Sequence, residues 1–169
     1  MVVASAAYIS GQRIFDSYYN KIHDYTSKSG VIFTEILTPE YVPERLTDRE
    51  TLWNEVEHVE RNNKAQLAYS FDIALQNELT LEENIRLAKE FCQEQFVARG
   101  MIVDLAVHEG KSKDGDEPDN PHFHVLAPIR PIAEDGSWGN KQKREYVLDE
   151  DGNRIKDARG KDIFNAVST

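Results

Sequence analysis

Three of the five histidines fall inside one 17-residue window, as His108, His122 and His124. Residues two apart on a strand lie about 6.6 Å apart along it and point the same way, so the imidazoles of His122 and His124 can converge on one ion. A third histidine from a neighbouring strand would complete a facial set of three nitrogens and leave positions open for water or substrate, as in a catalytic rather than a structural metal site. An isolated His-x-His pair is more often two half-buried histidines. Here His108 has matching strand parity, and the face it shares with the pair is otherwise small and polar. Three imidazoles suit zinc, manganese, nickel or iron and do not by themselves choose a reaction. Asp72 falls on the same face, either as a carboxylate that fixes one imidazole tautomer or accepts a proton, or equally as a strand-edge aspartate facing water.

The elements that must carry these residues show in the hydropathy periods. Ser70–Leu75, Val103–His108 and His122–Ala127 alternate with a period of two, which predicts three strands. Phe71, Ile73, Leu75, Val103, Leu105, Val107, Phe123 and Val125 would pack under helices, and Asp72, His108, His122 and His124 would occupy an opposite, open face of an antiparallel or mixed sheet. Thr47-Asp48-Arg49-Glu50 and Thr80-Leu81-Glu82-Glu83 each fit a capping box. Each precedes an apolar stripe at helical spacing, Leu52, Trp53, Val56 and Val59 in one and Leu81, Ile85, Ala88, Phe91 and Cys92 in the other, with a stop at Gly100. Trp53 and Cys92 read as core. Val3 to Ile9 is Ala-rich and predicts a helix ended by Gly11. Residues 109–121 read as a loop, and Tyr146–Leu148 and Arg154–Lys156 flank an Asp151-Gly152 turn as a hairpin.

With 169 residues, 40% of them apolar and 30% charged, the chain fits one domain with a real core and excludes collagen-like, coiled-coil and multispanning membrane classes. The single cysteine rules out an internal disulfide framework and a cysteine-rich zinc module, and a reducing cytoplasm is the expected compartment. No targeting segment is read, because the apolar N-terminal run is too short and lacks a basic start. The 20 Lys and Arg against 30 Asp and Glu leave a net charge of −10, which argues against a nonspecific nucleic-acid coat. The surplus acid sits in residues 31–100, with 14 acidic against 7 basic side chains, mostly on the outer faces of the two central helices.

Taken in order, Ala6-Ala7-Tyr8-Ile9-Ser10-Gly11, His23-Asp24-Tyr25-Thr26 with Gly30-Val31, Glu35-Ile36-Leu37, Leu52-Trp53, Asn120-Pro121-His122-Phe123-His124 and Arg130-Pro131 resemble the MobA/MobL (MobQ-type) conjugative relaxases of the HUH endonuclease superfamily. The resemblance implies an α+β fold, a palm of about five antiparallel strands with flanking helices. It also implies a single relaxase domain over residues 1–169, as the N-terminal piece of a larger mobilisation protein. Such relaxases usually begin with a further strand, often with a Tyr-His pair. This chain starts almost at the tyrosine helix, so the palm is expected to lack that strand and activity to be reduced.

By the same resemblance Tyr8 is the nucleophile and His108, His122 and His124 hold a divalent cation, Mn²⁺ or Mg²⁺. Asp72 stands where many relatives carry glutamate, with the catalytic role of orienting a histidine or accepting a proton. Tyr18, Tyr19 and Tyr25 compete with Tyr8. The implied activity is site- and strand-specific nicking of single-stranded DNA at an origin of transfer, through a 5′-phosphotyrosyl link that a free 3′ hydroxyl later reverses. A neutral phenol, with a reference pKa of about 10, needs a base or a cation nearby to attack. Arg13, Lys28, Arg130, Lys141, Lys143 and Arg144, with Arg154, Lys156, Arg159 and Lys161 beyond them, are the candidate DNA contacts. Trp138 and Tyr146 could stack on unpaired bases. The expected partners are origin DNA, relaxosome accessory proteins and a coupling protein, with no membrane. A rolling-circle replication initiator of the same superfamily and a non-catalytic origin-binding module are the alternatives.

Overall fold

The computed structural model describes residues 1–169. Helix α1 (Val2–Ser10) leads into a ribbon of β1 (Arg13–Asp16) and β2 (Lys21–Asp24), then β3 (Val31–Leu37), α2 (Arg49–Val59), β4 (Ala68–Ala74) and α3 (Leu81–Gln95). Strands β5 (Val103–His108) and β6 (His122–Pro128) follow, and β7 (Gln142–Tyr146) pairs with β8 (Phe164–Ser168). The main sheet is antiparallel throughout in the order β3-β5-β6-β4. It holds four strands, in agreement with the expected antiparallel palm of about five short of one strand. No helix is long and apolar enough to cross a membrane.

The predicted alternation places one face correctly. Val103, Leu105, Val107, Phe123, Val125 and Leu75 pack with Ala88 and Cys92 of α3. Burial pushes the Cys92 thiol up to about 12, so it is an inert core residue. Phe71 lies on the same side but remains 41% exposed, since β4 is an edge strand and the ring meets only the aromatic rings of Tyr69 and Phe96. Leu81 and Phe91 are also more than one-third exposed, whereas Asn84 is buried and bonds the Gln76 backbone in both directions.

The opposite face is not open. Helices α1 and α2 cover it, and Ala106, Leu126 and Ile102 join Val3, Ala6, Ala7, Leu52, Trp53 and Val56 in a second core. Small residues on α1 and at Ala106 let helix and sheet approach closely, and a small, polar-looking face therefore became an interior one. At its centre Asp104 is fully buried. It accepts from Arg49 Nε at 2.8 Å, Arg49 Nη2 at 2.7 Å and Trp53 Nε1 at 2.8 Å. Burial raises the hold of Asp104 on a proton, and these three donors act against that.

Caps and turns differ in detail from the expected pattern. Thr80 and Glu83 form the capping box of α3. Helix α2 is capped one residue later than predicted, because Asp48 rather than Thr47 accepts from Thr51 N, while the Thr47 hydroxyl donates to Glu44 O. Gly11 ends α1 at φ 64°. The Asp151-Gly152 turn forms, with Leu148 bridging Arg154, but Tyr146 pairs with Phe164 instead of continuing that hairpin. Three hairpins meet where Val147 N donates to Ile163 O, Ile163 N to Ile155 O and Ile155 N to Val147 O.

Removing one partner of a buried ion pair leaves the other uncompensated, at a cost of about 3 to 5 kcal/mol. Asp104→Ala should therefore lower the urea midpoint by that equivalent, whereas an unchanged midpoint would show that the pair does not anchor α2.

Candidate metal centre and active site

Strand register assembles the histidines. His108 lies opposite His122, and His124 lies between Ala106 and Asp72. The ring centroids are 5.2 Å apart for His108 and His122, 4.4 Å for His108 and His124, and 5.0 Å for His122 and His124. One nitrogen from each ring comes within 4.8 Å of the others.

Each ring is also anchored through its second nitrogen. His108 Nε2 donates to Ile9 O at 2.7 Å, His122 Nδ1 donates to Asn120 O at 2.7 Å, and His124 Nδ1 bonds the Asp72 carboxylate. Carbonyl and carboxylate oxygens accept only, so these nitrogens carry the protons. The lone pairs of His108 Nδ1, His122 Nε2 and His124 Nε2 are then left for a cation. Burial lowers His108 to about 4 against the opposing bond to Ile9. It lowers His124 too, with Asp72 opposing. Neutral imidazoles with fixed tautomers fit borderline Zn²⁺ best, and the harder Mn²⁺ still better than Mg²⁺, which prefers oxygen.

Tyr8 occupies the last turn of α1, one residue before the carbonyl that holds His108. Its side chain is about half exposed, with the Tyr25 ring perpendicular to it at a centroid distance of 5.3 Å and Lys28 Nζ 3.5 Å from the ring centre. Tyr18 and Tyr19 line a pocket with Met1, at the other end of α1. A polar cleft of about 260 Å³ opens beside the histidines, between His108 and His122 on one side and Gly30, Lys111 and Lys113 on the other.

The basic residues are dispersed. Arg13 reaches Asp24 at 3.9 Å, Lys143 pairs with Glu145 at 3.2 Å, and Arg144 stacks on Phe164 at 4.5 Å. Arg130 and Lys141 both bind Glu60, at 2.7 and 3.0 Å, and so join the chain after β6 to the end of α2. Arg154 pairs with Asp162 and lies over Tyr146, and Trp138 donates to Glu55.

Of the three groups that aim the rings, Asp72 was visible in the sequence, and the two backbone carbonyls, Ile9 O and Asn120 O, were not. Gly110 has φ +57°, and a Cβ built there would lie 1.9 Å from Asn120 O, the acceptor for His122. The loop over 109–121 closes only because that position has no side chain. The glycine was visible as a loop residue, but nothing in the sequence brought it against Asn120.

A model of the MobA/MobL family matches residues 1–167. The chain belongs to that family. It is 34% identical over 173 residues to the conjugal transfer protein TraA of Agrobacterium fabrum, in an alignment that covers 96% of this chain and 15% of TraA. It is 33% identical to the probable mobilization protein MobA of Bifidobacterium longum, over 90% of this chain and 26% of that protein. A solved structure concerned with the molecular basis of vancomycin resistance transfer in Staphylococcus aureus superposes with a TM-score of 0.74. It shares 36% identity and covers 83% of this chain and 69% of its own. This MobA/MobL chain thus spans a small part of the length of these two curated relatives.

Two outcomes follow from the anchoring. Gly110→Ala should displace the Asn120 carbonyl and weaken Mn²⁺ binding by about tenfold or more, read by calorimetric titration; unaltered affinity would mean that this carbonyl does not steer His122. Between pH 6.5 and about 4 the unfolded chain binds a proton at His108 that the folded chain refuses. Metal-free protein should therefore lose stability as pH falls through that window, and His108→Gln should flatten the melting temperature there.

Proposed function

We propose that this chain is the DNA-nicking domain of a conjugative mobilisation protein, a relaxase of the HUH type acting on single-stranded origin-of-transfer DNA. The observation that carries the reading is the helix bearing Tyr8 docked through Ile9 O onto one of three convergent, tautomer-fixed histidines.

Tyr8 Oη gives up its proton to solvent or a base and attacks the scissile phosphorus. The new Oη–P bond forms as the P–O3′ bond breaks, and the leaving 3′ oxygen takes up a proton. The phosphodiester is conserved as a 5′-phosphotyrosyl link, which the 3′ hydroxyl reverses to rejoin the strand. His108, His122 and His124 would hold a divalent cation, Mn²⁺ or Mg²⁺, which when bound supplies positive charge to the phosphate oxygens. Asp72 keeps the His124 ring in its ligating tautomer. The cleft beside Lys111 and Lys113 admits the strand, with Arg13, Lys143 and Arg144 as further phosphate contacts; Arg130 and Lys141 would have to leave Glu60 to join them. Helix α3, which carries Glu82, Glu90 and Glu94, covers the face opposite the histidines, so its acid is turned away from the strand. Relaxosome accessory proteins and a coupling protein would meet the domain at the origin.

The test is incubation of the chain with Mn²⁺ and labelled single-stranded oligonucleotides tiling the cognate transfer origin, followed by a denaturing protein gel. A covalent band should form with the wild type and vanish with Tyr8→Phe, and His122→Ala should abolish or nearly abolish it. Oligonucleotide binding without a band would favour the non-catalytic origin-binding module.

A further inference from the structure

Helix α1 ends with carbonyls that have no helical partner, as helices do. The Gln12 N–H, which would continue the ladder to Tyr8 O, donates to Ala7 O instead. Ile9 O receives His108, and Tyr8 O receives Lys28 Nζ at 3.0 Å. The same ammonium lies 3.5 Å from the centre of the Tyr8 ring, so it touches the tyrosine twice, at the backbone and on the aromatic face. Positive charge at a helix C-terminus and over an aromatic ring is favourable in both places.

Lys28 is not a loosely held surface lysine. Its loop is closed by Lys28 N to Tyr25 O at 2.9 Å and begins with Thr26 bonded through N and Oγ1 to Asp24. The loop ends at Gly30, whose carbonyl accepts from Glu109 N, the residue after His108. Its charge is felt at both His108 and His124. The backbone thus fixes the root of a side chain whose ammonium contacts Tyr8.

We propose that Lys28 is a positioning residue for Tyr8: it clamps the ring at the end of α1 and sets a fixed positive charge against a phenol whose oxygen becomes negative as its proton leaves, before the bond to phosphorus is complete. The inference rests on Tyr8 as nucleophile and assigns Lys28 a role other than phosphate contact. The ammonium keeps its protons throughout. It stabilises the oxygen as the proton leaves and before the Oη–P bond is complete, and again when that bond breaks on rejoining. An interaction stronger in the transition state than in the ground state acts on rate rather than on binding.

The experiment compares wild type, Lys28→Met and Lys28→Arg, using the tiling oligonucleotide that forms the covalent band. Lys28→Met should slow single-turnover cleavage at saturating oligonucleotide by about tenfold. Rejoining should slow in proportion, the Kd for the oligonucleotide should stay the same, and Lys28→Arg should recover part of the rate. A weaker Kd with a shallower salt dependence and an unchanged saturated rate would make Lys28 a phosphate contact and overturn the proposal. A second measurement needs no cleavage. In protein carrying ¹³C-tyrosine, the ring signal assigned through Tyr8→Phe should move in Lys28→Met, while those of Tyr41, Tyr69 and Tyr146 stay in place. A Tyr8 signal that does not move overturns the clamp even if no oligonucleotide is cleaved, whereas absence of wild-type cleavage beside a shifted signal counts against the nickase reading alone.

Discussion

A carboxylate sealed inside the sheet sets the position of almost everything around the site. Asp104 is surrounded by Arg49 and Trp53 of α2, and a buried charge that cannot reach water must keep those donors. Helix α2 is therefore pinned to β5, and α1 packs into the same apolar core against both. The end of α1 then falls where Ile9 O can receive His108, two pairs of positions further along the same face of the same strand. The path from ion pair to candidate site runs through β5 and α1.

The site itself is built from secondary-structure ends. His108 terminates β5, His122 opens β6 and Tyr8 lies in the last turn of α1. Ends of elements carry unsatisfied backbone carbonyls, and this protein uses them: Ile9 O and Asn120 O orient two of the three imidazoles, and Tyr8 O receives Lys28. Only His124 relies on a side chain, Asp72, directly opposite it in the sheet. The two sides of the sheet divide the remaining labour. Helix α3 and its carboxylates take one side, and the other carries Tyr8, the histidines and the polar cleft. A net charge of −10 is thereby compatible with a strand of phosphates approaching from that second side.

Much of this was legible because β-structure has a period of two. The parity of Val103–His108 and His122–Ala127 placed the three histidines on one face with Asp72, and the registers bring them together as that parity requires. The Thr80-Glu83 box and the Gly11 stop were equally local, since each satisfies backbone groups within a few residues. Parity says which residues share a face and is silent on what covers it, so the histidine face was read as open when α1 and α2 lie on it. Asp104 has the same parity as His108 and could have signalled a buried acid in need of a partner. Arg49, 55 positions earlier, could not be chosen from the chain alone.

The sequence by itself determined the chemistry available: three imidazoles at strand spacing, a tyrosine near a helix stop, an ordered set of motifs shared with the MobA/MobL family, and acid gathered in two helices. These are local properties, written in residue type and in periods of two and 3.6. Tertiary structure decided which nitrogen of each imidazole keeps its proton, which lysine stands over the tyrosine, and that Arg130 and Lys141 close on Glu60. Apart from His122, which bonds a carbonyl two residues away, these outcomes depend on groups far apart in the chain meeting within about 3 Å, and only strand pairing and the packing around the sheet bring them that close.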